Sequence, residues 1–100
     1  MKLLTKTLLT RFQKVGSQAE SEDPIIIAKF FNPCGSGTWY ATEFNPNDAC
    51  FFGYVTGLGY DEWGYFSLHE LSTVKCPPFG LPIERDLYFE EDRFSEVIKD

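Results

Sequence analysis

The chain has 100 residues, 43% hydrophobic and 24% charged, with a formal net charge of −6. That length supports one domain with a thin core, and no apolar run approaches the roughly 20 residues of a membrane-spanning helix. The charge is uneven: residues 1–14 hold Lys2, Lys6, Arg11 and Lys14 and no acid, while the remainder holds five basic and fifteen acidic side chains, a balance that disfavours binding a phosphate backbone through the body.

Met1-Lys2-Leu3-Leu4 opens like a secretory leader, but Lys6, Arg11, Gln13 and Lys14 interrupt the apolar run before an export core can form. The expectation is a cytoplasmic protein with no membrane segment. Leu4, Leu8, Phe12 and Val15 recur at helical spacing, which predicts an amphipathic helix over residues 3–15 with one face on a core. Residues 16–24, polar and acidic, read as a flexible linker.

Ile25 to Phe31 is β-branched and aromatic and reads as one strand. Its three consecutive isoleucines do not alternate, as in a strand covered on both faces. Asn32 to Gly37 is a turn. Thr38 to Phe44 is the second strand. Alternation assigns Trp39, Ala41 and Glu43 to one side, and Thr38, Tyr40, Thr42 and Phe44 to the other. Asn45-Pro46-Asn47-Asp48 has the composition of a tight reversal. Ala49 to Thr56 is the third strand, with Phe52 and Tyr54 alternating against Phe51 and Val55; Gly53 in its middle marks a bulge or a close backbone approach. Trp63 to Leu68 begins a fourth strand.

Ser67-Leu68-His69-Glu70 matches a capping box and predicts a short helix over about 68–74. Cys76 to Pro82 carries three prolines and reads as irregular. Leu87 to Phe89 is a candidate last strand, and Phe94 to Ile98 a terminal helical turn. The assembled expectation is a single α+β domain over residues 1–100. Its small antiparallel sheet has about four to five strands in a meander, with an N-terminal amphipathic helix and a short helix after the fourth strand.

Cys34, Cys50 and Cys76 are odd in number and far apart, which argues against a disulfide framework. His69 is the only histidine, and no spacing resembles a zinc site, so no cofactor or metal is expected. Gly57-Leu58-Gly59 lacks the rest of a dinucleotide fingerprint. Glu84-Arg85-Asp86 is the most unusual polar cluster. In an extended segment Glu84 and Asp86 share a side and Arg85 takes the other. With Glu43, the two carboxylates would suit a metal ion or an acid/base pair; alternatively Arg85 anchors the loop to a carboxylate or a carbonyl.

The aromatics are the stronger lead. They make up 17% of the chain, ten of them Phe. Most serve a small core, but Trp39, Tyr54, Trp63 and Tyr65 offer the rigid amphipathic area that dominates contact surfaces. Single-stranded nucleic acid stacks on such faces only with flanking cations, and Lys29 is the sole cation between Ile25 and Val74.

Five segments in order carry a resemblance: Lys29-Phe30-Phe31-Asn32-Pro33, Gly37-Thr38-Trp39-Tyr40-Ala41-Thr42-Glu43, Phe52-Gly53-Tyr54-Val55-Thr56-Gly57, Glu62-Trp63-Gly64-Tyr65-Phe66-Ser67 and Gly80-Leu81-Pro82-Ile83-Glu84-Arg85-Asp86. Together they resemble the bacterial family catalogued as domain of unknown function 2958. The resemblance implies a protein carried on plasmids and integrative elements and assigns no activity or functional residue. The expected function is a non-enzymatic module of a mobile genetic element that binds a protein partner through Trp39, Tyr54, Trp63 and Tyr65 or the acidic segment with Glu84, Arg85 and Asp86. A sharper form is an acidic inhibitor of a host defence or nucleic-acid-handling protein. The alternatives are a small metal-dependent hydrolase using Glu43, Glu84 and Asp86, and a single-stranded nucleic-acid binding module.

Overall fold

The computed structural model describes residues 1–99. Helix α1 spans Lys6–Val15, and Thr5 caps it by accepting the Leu8 amide at 3.2 Å. The start at Lys6 rather than Leu3 follows from that cap, which satisfies a first-turn donor. Leu3 is nonetheless buried.

Ile25 to Phe31 is not one strand. It divides at Ile27 into β1 (Ile25–Ile26) and β2 (Ala28–Phe31), and the two parts pair with different partners. The expected double cover is present: Ile26 and Ile27 are both buried, and Ile27 belongs to the main core cluster whereas Ile26 lies outside it. Strands β3 (Thr38–Asn45), β4 (Cys50–Thr56) and β5 (Glu62–Ser67) continue the meander. Helix α2 (Leu68–Thr73) follows directly. Ser67 caps it by accepting the Glu70 amide at 3.2 Å, as the capping box requires.

The segment read as irregular contains a two-stranded ribbon, β6 (Lys75–Cys76) with β7 (Leu81–Pro82). Pro77 and Pro78 occupy its loop, and Pro82 sits at a ladder end, where a missing donor costs least. Strand β8 (Glu84–Arg85) and strand β9 (Asp92–Arg93) follow, and α3 (Phe94–Val97) ends the fold. Leu87 to Phe89 is a turn instead of a strand, because the Asp86 carboxylate accepts the Tyr88 amide at 2.9 Å and bends the chain there.

The main sheet is antiparallel throughout, in the order β5-β4-β3-β2-β8, so the meander gains a fifth strand from the C-terminal segment. A separate ribbon pairs β1 with β9. On one face of the sheet, Phe51 is the hub of an aromatic core. Its ring lies 5.8 Å from Phe12 of α1, 5.2 Å from Phe30, 4.8 Å from Phe44 and 5.4 Å from Phe66. On the other face, Phe94 of α3 packs against Tyr54 of β4 and Trp63 of β5.

The β3–β4 register slips between Ala41 and Glu43. Thr42 is the extra residue of a bulge, buried, with its hydroxyl donated to the Phe52 carbonyl at 3.1 Å. One added residue reverses every later side chain. Phe44 therefore joins Trp39 and Ala41 on the core face, and Glu43 joins Thr38 and Tyr40 on the other, the reverse of strict alternation. Gly53, opposite Ala41, allows the close approach: a Cβ there would stand 1.9 Å from the Tyr40 carbonyl oxygen.

Residues 16–24 make specific hydrogen bonds. The Gln18 side chain accepts the Ile25 amide at 2.6 Å and donates to the carbonyls of Ile25 at 2.9 Å and Thr42 at 2.8 Å. Asp23 accepts the Ser95 amide at 2.8 Å and the Ser95 hydroxyl at 2.6 Å. Arg11 reaches Glu91 in a forked ion pair, with the closest contact at 2.6 Å. The N-terminal quarter is thus clasped to the C-terminal segment.

Candidate functional site

Residues directly opposite in an antiparallel pair share a face. Register therefore gathers Phe52 with Tyr65 and Tyr54 with Trp63 on the face away from α1. The rings touch in a continuous array. Phe52 lies 6.0 Å from Trp63, nearly parallel at 15°, and 4.9 Å from Tyr65, edge to face at 62°. Phe94 of α3 packs against Tyr54 at 5.0 Å and Trp63 at 4.9 Å, so half of the array is covered and half is open. Trp63 is 39% exposed and Tyr65 80%.

Beside the open half lies a cavity of about 390 Å³. The rings of Phe52, Trp63 and Tyr65 form one wall. Ala19, Glu22 and Pro24 of the linker form the other, with Thr42 and Glu43 between them. The bulge puts Glu43 here: without the extra residue its carboxylate would face the core. Glu43 Oε2 accepts the Gln18 amide at 3.1 Å, which fixes the carboxylate. That volume lies within the roughly 300–1,000 Å³ of small-molecule pockets.

Of the four aromatics singled out from the sequence, Tyr54, Trp63 and Tyr65 converge. Trp39 does not. It lies on the core face, across from Phe30 and Val55, and lines a second concavity of about 360 Å³ with Leu58, Tyr60 and Val74, which meets the first only at Tyr65. Phe52 and Phe94 belong to the array and were not singled out, although Phe52 was legible from its alternation with Tyr54. Gln18 and Glu22 had no sequence signal, because a polar linker shows no periodicity.

Glu84, Arg85 and Asp86 lie at the opposite edge of the sheet. Glu84 pairs across from Phe31, and Arg85 across from Phe30, so their sides alternate as expected. Asp86 is 3.5 Å from the Lys29 ammonium, which also stands 5.8 Å from the centre of the Tyr40 ring. The Arg85 guanidinium makes no ion pair among the described residues, and its Nε is buried without a hydrogen-bond partner. Among the described residues no three or more His, Cys, Asp or Glu side chains come together as a metal site. Glu43 is held by the linker and Asp86 by Lys29, so the ligand set of Glu43, Glu84 and Asp86 does not form. All three cysteines are free, and burial pushes the Cys76 thiol pKa up, with a smaller contribution from Cys34.

The family model described as "Protein of unknown function (DUF2958)" matches residues 2–99. No curated protein and no solved structure matches the chain.

Proposed function

The chain belongs to the DUF2958 family, and from that premise we propose that it is a non-enzymatic protein-interaction module whose contact surface is the open half of the aromatic sheet face. The observation that carries this reading is the exposure of Trp63 and Tyr65 on strands whose other side is anchored in the core. A rigid Trp–Tyr pair loses little entropy on contact and buries a large area, which is the chemistry of binding hot spots. The carboxylates of Glu22 and Glu43 line the same surface and disfavour a phosphate ligand, and Lys29 is already engaged by Asp86. These points favour a protein over single-stranded nucleic acid.

The narrower reading is an inhibitor carried on a mobile genetic element, whose acidic C-terminal surface meets a basic partner. Glu91 is committed to Arg11, which leaves Glu90 and Asp92, both exposed, as its testable residues. Affinity capture from a bacterial host, followed by reconstitution with the purified partner, tests both levels. The paired change Trp63→Ser and Tyr65→Ser abolishes the reconstituted complex, while Leu58→Ser, in the other concavity, leaves it intact. A complex that survives the paired change refutes the contact surface. Unchanged affinity after Glu90→Gln and Asp92→Asn refutes the acidic-surface form alone.

A further inference from the structure

We propose that the cavity between the linker and the aromatic wall receives the guanidinium of an arginine side chain presented by the protein partner. This inference rests on the reading of that face as a protein contact surface.

Phe52, Trp63 and Tyr65 line the cavity, and an aromatic ring offers negative π density to a cation, with Trp the best acceptor of the three. Glu43 is positioned among them. Its Oε2 is occupied by the Gln18 amide, and its Oε1 takes no hydrogen bond from the described residues. Gln18 is itself held to Ile25 and Thr42 by three hydrogen bonds, so the carboxylate stands on a fixed support instead of a mobile loop. Glu22 lines the facing wall. The cavity therefore combines aromatic rings with a carboxylate oxygen to which no described residue donates.

Each class of occupant meets this combination differently. An apolar side chain would leave the carboxylates desolvated without a partner. An anion would be repelled. An ammonium would gain the charge attraction, but it is strongly hydrated and cannot stack. A guanidinium is planar and weakly hydrated; it can lie on an aromatic face while its edge donates to a carboxylate. The acidic excess outside residues 1–14 adds long-range attraction for a basic partner.

The indole N–H resonances of Trp63 and Trp39 give a site-resolved test with an internal control. The full chain is titrated at low salt with three capped tripeptides that differ only in the central residue: arginine, lysine, or the neutral isostere citrulline. The arginine peptide moves the Trp63 indole saturably and leaves Trp39 in place. Citrulline produces no saturable shift, and lysine binds at least about threefold more weakly. Tyr65→Ala and Glu43→Gln each weaken the arginine peptide by about threefold or more. Tyr65 is largely exposed, so its variant stays folded, and it decides the outcome if Glu43→Gln disturbs the linker. A static Trp63, an equal response to citrulline, or lysine binding as tightly as arginine overturns the assignment. If the reconstituted complex depends on Trp63 and Tyr65 while Trp63 ignores the arginine peptide, the contact surface stands and the arginine assignment falls. If both fail, both readings fall.

Discussion

Asp23 caps a helix from 72 residues away: its two carboxylate oxygens take the amide and the hydroxyl of Ser95. Arg93, the residue just before α3, makes no side-chain cap of its own. An N-terminal amide of a four-residue helix is satisfied instead by the linker that forms one wall of the candidate site. The site and the C-terminal segment therefore share a support.

The Asp23 carboxyl is held below its usual pKa, chiefly by the Ser95 hydroxyl and next by the Ser95 amide. A lowered folded-state value means stability that is fully present above the unfolded value, about pH 4, and lost as pH falls through the folded one. Ser95→Ala removes the larger cause. The Asp23 carboxyl resonance then titrates at higher pH, and the variant is less stable than wild type near neutrality. The two converge in strong acid. Urea midpoints measured from neutrality to pH 2 check this; a constant difference at every pH refutes it.

Gly53 and Gly64 face each other across β4 and β5, yet they respond oppositely to an added methyl. At Gly53 a Cβ would stand 1.9 Å from the Tyr40 oxygen and 2.8 Å from its carbonyl carbon, so Gly53→Ala costs about 3 kcal/mol or more through displaced backbone. At Gly64 nothing lies within 4 Å, and Gly64→Ala stays within about 0.5 kcal/mol of wild type. Denaturant unfolding of the two variants separates them.

Phe51 touches four other rings, from α1, β2, β3 and β5. Phe51→Ala loses about 3–5 kcal/mol, a large share of the roughly 5–15 kcal/mol that stabilises a domain. Its amide spectrum collapses at room temperature, whereas that of Tyr65→Ala remains dispersed.

Ala49 holds φ at 53°, in the left-handed region that disfavours residues with a Cβ. Ala49→Gly relieves that strain against a smaller gain in unfolded-chain freedom, for a net stabilisation of about 0.5–1 kcal/mol. A melting temperature raised by a few degrees is the expected reading.

Cys76 is 1% exposed, and burial disfavours its thiolate. A thiol reagent modifies Cys34 and Cys50, both half-buried, before Cys76. The Cys76 rate rises with urea in step with unfolding. Equal rates for all three thiols in the native protein would refute this placement.

What the sequence made legible was local. Ser67 and Glu70 fix α2 because a capping box is a short-range device, and Gly53 announces a close approach because no other residue tolerates one. Tyr54, Trp63 and Tyr65 came together because period-two alternation held through β4 and β5. The bulge at Thr42 was not legible: a slip of one residue depends on how β3 meets β4, and it sent Glu43 and Phe44 to unexpected faces. The pairing of β8 with β2 and of β9 with β1 was hidden for the same reason. Two-residue strands carry no pattern, and their partners lie more than fifty positions away. The linker side of the candidate site belongs to that hidden class, because Gln18 reaches it through hydrogen bonds to the Ile25 and Thr42 backbone, and neither it nor Glu22 sits in any motif.

Synthesis proceeds from the N-terminus, so residues 28–67 of the four-strand meander leave the ribosome ahead of residues 84–93. In that interval β2 is a bare edge, with the Phe31 and Lys29 backbone open to pairing by any extended segment nearby. Ile26 is also without its cover. The nascent protein therefore passes through a stage that is most prone to self-association, and the arrival of two short strands ends it.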